Sequence, residues 1–273
     1  MHLLIPVFFN ASFGGLHENV RATVLFMLAR RHRVTLVCRP GPFAEQLREQ
    51  GAGVIETDYG ECSYAAALAE IRALHGYEPI DLIHAHPFAA RRLGVIAARV
   101  LGLPCVVTMH GKYLDALPQT IGQLDAVFAN AGRGGEPGGF SKANPAIWKD
   151  MILTNVYGVG LTVQCCLPAL RKSRGHILLT GSAAGRVTIP GSMYSATKWA
   201  VSAIGYGLRE EIRGSGIRVT LIEPGVVDTP FFDQPPSHSL QPEDIGRAVL
   251  YALSQPAHVD VNEILVRPTP AVS

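Results

Sequence analysis

In the pentapeptide Tyr194-Ser-Ala-Thr-Lys198 a phenol and an ammonium stand four residues apart. On a helix that spacing puts both on one face, about one turn from each other. A neighbouring ammonium stabilises phenolate and draws a tyrosine pKa toward working pH. A phenol tuned that way can pass a proton to or from a substrate alcohol or carbonyl. Ser182 closes the apolar run that begins at Ile177, where its hydroxyl can hold the substrate oxygen beside the tyrosine. A tyrosine and a lysine at this spacing also fit an ordinary helix surface. The neighbours decide.

Those neighbours are Gly181-Ser182-Ala-Ala-Gly185, Asn130-Ala131-Gly132 after an apolar strand, Asn155 within Thr154-Asn155-Val-Tyr-Gly158, and Pro224-Gly225 at the end of the Val219–Glu223 strand. In this order and spacing they resemble the short-chain dehydrogenase/reductase family, from about Leu124 to Pro268. The resemblance implies an NAD(P)-dependent oxidoreductase that acts on CH–OH groups and interconverts an alcohol and a carbonyl by hydride transfer. It implies Tyr194 as acid and base, with Lys198 binding the nicotinamide ribose and lowering the tyrosine pKa. Ser182 would orient the substrate oxygen, and Asn155 would anchor a water that connects the lysine to solvent. Asn130, Ala131 and Gly132 would line the cofactor. Pro224, Gly225, Val226 and Thr229 would hold the nicotinamide carboxamide, and Phe231 and Phe232 would begin a loop covering the substrate.

Elements at the right places can position these groups. Apolar runs predict strands at Leu3–Phe9, Arg33–Cys38, Gly53–Glu56, Leu82–Ala85, Cys105–Met109, Ala126–Ala129, His176–Thr180, Arg218–Ile222 and Glu263–Val266. Helical patterns separate most of them, among them Leu16–Arg31, Ala89–Leu101, Ile147–Leu170, Ser195–Arg213 and Pro242–Ser254. Repeated strand–helix units with nearly continuous apolar strands indicate an α/β, Rossmann-like, doubly wound and mainly parallel sheet with helices on both faces. The unbroken alternation predicts one continuous sheet of about nine strands. Ligands in such a sheet bind at the carboxyl ends of strands.

The amino-terminal half carries a different pattern. Its first strand ends Phe9-Asn-Ala-Ser-Phe-Gly14-Gly15, and no TGxxxGxG turn occurs before Asn130. Phe13-Gly14-Gly15, Arg31-Arg-His-Arg-Val-Thr-Leu-Val, Asp81-Leu-Ile-His84-Ala-His86 and Pro104-Cys-Val-Val-Thr-Met-His110-Gly111 resemble the amino-terminal domain of GT-B glycosyltransferases of family 4 type, over about Met1 to Val127. In that family this domain mainly holds the acceptor, and the donor-binding second domain has no counterpart here. The expected division is residues 1–124, the GT-B-like half, and residues 125–273, the dehydrogenase-like catalytic half. Both families have an apolar strand near Leu124–Ala129, so the chain crosses between them without losing pattern. A fusion of related sheets fits that crossing, and so does a mis-assembled source sequence. A sugar-acceptor module and an inactive fusion therefore stand beside the oxidoreductase reading.

The missing glycine motif bears on the cofactor. In a strand order 3-2-1-4-5-6 the strand before Asn130 lies three steps from strand one, ~14 Å at about 4.8 Å per step. The turn Met109-His110-Gly111-Lys112 offers one glycine and a lysine for a phosphate instead. Impaired cofactor binding is expected. Arg39 near the end of strand two would favour NADP, an acid there NAD, and the choice between NAD and NADP stays open. No metal is expected: His84 and His86 alternate along a strand and so point to opposite faces, and no third ligand stands at metal spacing.

Composition narrows the classes further. With 48% hydrophobic and 17% charged residues the chain can bury a full core. A net charge of +2 gives no footprint for nucleic acid or an anionic membrane. The five cysteines are odd in number and lack CxxC spacing, which points to a reducing cytoplasm. The longest apolar stretches, such as Leu93 to Val107, fall short of a membrane span, and the start lacks the basic residues of a signal peptide. The expected partner is a small-molecule alcohol or carbonyl, and homo-oligomer formation is left open.

Overall fold

The computed structural model describes residues 1–8, 15–57, 64–86, 89–109, 124–135, 138–232 and 236–269. The chain divides into two compact units, Met1–Tyr113 and Leu114–Ser273.

In the first unit, strands β1 (His2–Pro6), β2 (Arg33–Cys38), β3 (Gly53–Glu56), β4 (Leu82–Ala85) and β5 (Cys105–Val107) pair in parallel, in the order β3-β2-β1-β4-β5. Helices α1 (Gly15–Ala29), α2 (Pro42–Glu49), α3 (Tyr64–Tyr77) and α4 (Ala89–Leu101) connect them. Side chains alternate across a strand, so neighbouring residues enter different cores. Leu3, Ile5 and Val7 pack with Val20, Val24, Phe43 and Leu47 of α1 and α2. Leu4 packs with Ile71 of α3 and with Leu93 and Ala97 of α4. Helices thus cover both faces, as the apolar strands predict. Gly94 lets α4 approach the sheet closely, because a Cβ there would lie 2.5 Å from the Ala85 Cβ.

In the second unit, β6 (Ala126–Ala129), β7 (His176–Thr180), β8 (Arg218–Pro224) and β9 (Glu263–Val266) form a parallel sheet in that order. Between β6 and β7 run a short helix α5 (Gly139–Lys142), α6 (Pro145–Ile152), a π-helical turn (Leu153–Tyr157) and α7 (Gly158–Ser173). Asn144 caps α6, its Oδ1 accepting from the Ala146 amide at 2.9 Å, with Pro145 at the first position, where no amide is needed. A 3₁₀ turn (Ala183–Gly185) and α8 (Met193–Glu211) join β7 to β8, and α9 (Pro242–Ser254) precedes β9.

The strand pairing corrects one expectation. Two sheets form instead of one continuous sheet of about nine strands, since among the described residues β5 pairs only with β4 and β6 only with β7. Strand–helix alternation determines each local unit, whereas the joining of edges depends on aligned backbone that an apolar pattern does not encode. β5 is only three residues long and stops at Val107, short of Met109. The order β3-β2-β1-β4-β5 is otherwise the one expected.

The run Pro145–Ser173 is long and apolar enough to cross a membrane by length and composition alone, a stretch the sequence reading passed over. It packs in the second unit beside β6 and β7 and buries Val159, Val163, Cys166 and Leu170.

Candidate active site

The predicted residues gather at the carboxyl ends of β6, β7 and β8. Ser192 caps α8 by accepting from the Ser195 amide at 3.0 Å, so Tyr194 sits in the first turn and Lys198 one turn later. Lys198 is 3% exposed. Its Nζ donates to the Thr180 carbonyl at 2.8 Å and lies 5.7 Å from the centre of the Tyr194 ring. Burial draws the Lys198 pKa down to about 8. Burial also pushes the Tyr194 phenol above its ordinary value, while a hydrogen bond with Ser182 acts in the opposite direction. The net direction for the phenol is therefore upward, not the lowering expected from an adjacent ammonium. Lys198 donates one of its three N–H groups to Thr180, and loss of solvent penalises the charged form of both groups.

Ser182 follows β7 and is buried. Its Oγ accepts from the Ala184 amide at 3.1 Å, which starts the 3₁₀ turn, and donates to the Pro224 carbonyl at 3.4 Å. Ser182 is thereby tied to the end of β8. Asn155 occupies the π-helical turn and is fully buried. Its Oδ1 accepts from the Arg133 amide at 2.8 Å, and its Nδ2 donates to the Arg133 carbonyl at 2.9 Å and to Thr197 Oγ1 at 3.0 Å. One side chain thus joins the loop after β6 to α8.

The residues expected at a cofactor lie on the same rim. Asn130 Oδ1 accepts from Thr180 Oγ1 at 2.8 Å, and Ala131 and Gly132 are exposed. A Cβ on Gly132 would lie 3.7 Å from both Asn155 Oδ1 and Lys198 Nζ, at van der Waals contact, so this exposed backbone stands directly beside the two polar groups. Beyond Pro224, the Gly225 amide donates to the Val266 carbonyl at 2.7 Å and the Leu240 amide to the Val226 carbonyl at 2.9 Å. Thr229 Oγ1 accepts from the Phe231 amide at 3.4 Å. The Phe231 ring lies 5.7 Å from the Tyr194 ring and 5.1 Å from Phe232. It also lies close over Gly134, where a Cβ would come within 3.2 Å of its Cζ.

Sequence reasoning missed part of this arrangement. Thr197, inside the pentapeptide itself, bridges Asn155 and the Tyr194 carbonyl, the latter at 2.8 Å. Glu223, just before Pro224, is fully buried. It pairs with Arg186 at 2.8 Å and accepts from Ser202 Oγ at 3.1 Å. A lone acid in the otherwise apolar Val219–Pro224 run was the available signal, because buried carboxylates require partners.

Other expectations fall elsewhere. The Phe9–Gly14 turn, His110, Gly111, Lys112 and Cys62 lie outside the described residues. His84 and His86 do not diverge as alternation implies: their rings stand 4.5 Å apart. β4 ends at Ala85, so His86 is no longer held to the strand's alternation. His84 Nε2 pairs with Thr108 Oγ1 at 2.7 Å, and among the described residues no cluster of three metal-ligand types forms. Arg39 lies in the first unit, 4.7 Å over the Phe8 ring. Burial raises the Cys38, Cys105 and Cys166 thiols to about 11, away from the reactive thiolate form.

Comparison with known proteins adds an independent measure. A short chain dehydrogenase family model matches residues 89–239, and a glycosyl transferase 4-like domain model matches residues 14–134. A protein of Staphylococcus aureus strain MW2 described as an uncharacterized oxidoreductase is 43% identical over 155 residues, 55% of this chain and 67% of that one. One from Staphylococcus saprophyticus, described likewise, is 40% identical over 162 residues, 58% of this chain and 69% of its own length. Among solved structures, an acetoin dehydrogenase from Salmonella typhimurium is similar with a TM-score of 0.54 at 18% identity, covering 76% of this chain and 94% of that one. The closed form of a serine dehydrogenase complexed with NADP+ gives 0.51 at 22% identity, over 97% and 94% of the two chains. At these identities the structures speak for the fold.

Proposed function

Because the chain belongs to the short chain dehydrogenase family of oxidoreductases, we propose that it interconverts an alcohol and a carbonyl of a small molecule, with Tyr194 as the general acid and base. The observation that carries this reading is the convergence of Tyr194, Ser182 and Lys198 on one rim, with Asn155 bracing it from below. A nicotinamide cofactor, NAD or NADP, would supply or accept the hydride when bound. The residues that would hold its nicotinamide end are Asn130, Ala131, Gly132 and Lys198 on one side, and Pro224, Gly225, Val226 and Thr229 on the other. The solvent-exposed backbone at Gly132, beside Lys198 and Asn155, fits such a ligand.

Ser182 fixes the substrate oxygen beside the phenol, and Tyr194 gives that oxygen a proton in reduction and removes it in oxidation. Lys198, with a pKa drawn to about 8, is protonated at neutral pH, and its charge favours the phenolate that reduction leaves behind. The Phe231 ring lies beside the Tyr194 ring, 5.7 Å between centres, at the start of the loop expected to cover the substrate. Cofactor affinity is weak on this reading, because no TGxxxGxG turn precedes Asn130.

The test is consumption of NADPH or NADH with a broad carbonyl panel, for the parent and for Tyr194→Phe. Parent turnover with loss in the variant supports the assignment, and equal rates in the two proteins overturn it. The glycosyl transferase 4-like match to residues 14–134 favours a second reading, acceptor binding by the first unit. Transfer of sugar from a nucleotide-sugar to any acceptor would promote it.

A further inference from the structure

Arg91 stands in the first turn of α4 and is 7% exposed. A guanidinium carries N–H donors in a planar fork and no acceptor, and it stays charged. Among the described residues no carboxylate pairs with it. Its Nε has no hydrogen-bond partner, and its Nη1 makes one weak bond, to Met109 Sδ at 3.8 Å. A buried charge left in this state is costly unless something neutralises it.

The surroundings point the same way. Helix amino-termini present unpaired backbone N–H groups and a partial positive charge, which favour acids. The first turn of α4 contains no acid and instead places Arg91 beside Arg92. Burial and the Arg92 charge both depress the Arg91 pKa, and among the described residues no acid compensates this cation. α4 follows β4, and the order β3-β2-β1-β4-β5 reverses direction between β1 and β4. That reversal is where open α/β sheets bind ligands, outside the carboxyl ends of the strands. Met109 lies just past the end of β5, so the guanidinium is aimed at this carboxyl edge.

We propose that Arg91 and the amino-terminal turn of α4 form a binding site for the phosphoryl group of a small molecule, a phosphate monoester or a diphosphate. The guanidinium fork matches two phosphoryl oxygens, and a helix amino-terminus accepts a third. The site lies wholly in the first unit and is independent of the oxidoreductase reading.

The experiment titrates the full chain by calorimetry with pyrophosphate, inorganic phosphate and, as a control anion, acetate. Parent protein, Arg91→Met, Arg91→Lys and Arg92→Met are compared, each checked for folding by circular dichroism. Pyrophosphate should bind the parent saturably and acetate should not. Arg91→Met should weaken binding about tenfold or more, the loss of a charged hydrogen bond, and Arg91→Lys should fall between. Arg92→Met, which removes an exposed charge, should bind within about twofold of the parent, the scale of a screened surface charge. Absence of saturable pyrophosphate binding by the parent overturns the proposal. Equal affinity in parent and Arg91→Met overturns it as well. If Arg91→Met does not fold, full parent affinity in Arg91→Lys together with a loss in Arg92→Met overturns it, as that pattern marks diffuse surface attraction.

Discussion

His2 in the first unit and His176 in the second occupy the same place in two separate sheets. Each begins a strand, each is paired in register with an arginine (Arg33 or Arg218), and each bonds through Nε2 to a threonine two residues further along the partner strand. The His2–Thr35 and His176–Thr220 distances are both 2.8 Å. Their surroundings differ. Burial and the neighbouring arginine lower both pKa values, but Glu78 and nearby carbonyls pull His2 back up, whereas no such group relieves His176, which falls to about 4. The strand starts share one device, and the strand ends diverge. At its strand ends the second unit links Asn155, Thr197, Ser182, Lys198 and Glu223 to backbone or to other side chains, while in the first unit Arg91 Nε has no hydrogen-bond partner and no acid pairs with Arg91 among the described residues. Scaffold resides in the beginnings of these strands, and chemistry in their ends.

The sharpest way to test that division is Tyr194→Phe. A general acid contributes ~10²–10⁴-fold, so carbonyl reduction should fall by that factor with the dissociation constant of NADPH unchanged, read by steady-state turnover and by cofactor fluorescence. A comparable loss of cofactor affinity would mean that the strand-end network also holds the cofactor through this phenol.

Leu93→Ala probes the apolar core of the first unit. Leu93 is fully buried, and truncation there should cost about 2–5 kcal/mol. The two tryptophans, Trp148 and Trp199, both lie in the second unit. Unfolding followed by circular dichroism should therefore shift to lower urea, and tryptophan fluorescence read alongside shows whether the second unit follows. An unchanged circular-dichroism midpoint would remove Leu93 from the core of the first unit.

The histidines give a pH test. His176 is neutral in the folded chain down to about pH 4, whereas an unfolded histidine takes a proton near 6.5. Between these values the unfolded state binds more protons, so stability is present above pH 6.5 and lost as pH falls toward 4, by about 3 kcal/mol. Urea midpoints by tryptophan fluorescence at pH 7 and pH 4 should differ less in His176→Gln than in the parent. An unchanged difference would remove His176 as the cause. The smallest effect expected is that of Asn155→Ala, about 1–3 kcal/mol, because the Arg133 amide and carbonyl lose a buried partner. Thermal unfolding of the parent and variant checks it, and no shift would show that Asn155 braces nothing.

Much of this was readable beforehand. The strands beginning at Arg33 and His176 carry apolar runs that report burial on both faces directly, whereas the similar run at Ala126 forms an edge strand with Phe128 exposed. The Tyr194–Lys198 pair was legible because its spacing is local, whereas Asn130, Asn155, Ser182 and Pro224 were joined to it by the order and spacing of the family resemblance. The separation of the sheets was not, since whether the edges at β5 and β6 pair depends on aligned backbone that an apolar run does not encode. The Arg186–Glu223 pair was missed for the same reason: its members come together only when β7 and β8 align. The upward displacement of the Tyr194 pKa follows from burial, which a spacing argument does not contain.

The π-helical turn at Leu153–Tyr157 has a consequence for how this sequence can change. A π turn holds one residue more than an α turn, and one residue is about 100° of rotation. Met151, Asn155, Val159 and Val163 stand four apart, and three steps of four drift about 120° around a regular α-helix. The extra residue in the π turn takes back about 100° of that drift, so α6 and α7 both keep Met151, Val159 and Val163 inward. Deleting one residue from this turn would leave a regular helix whose packing faces stay in phase, and would disturb only the contact of Asn155 with the Arg133 backbone. The length of this turn therefore answers to the asparagine and not to the packing of the helices around it.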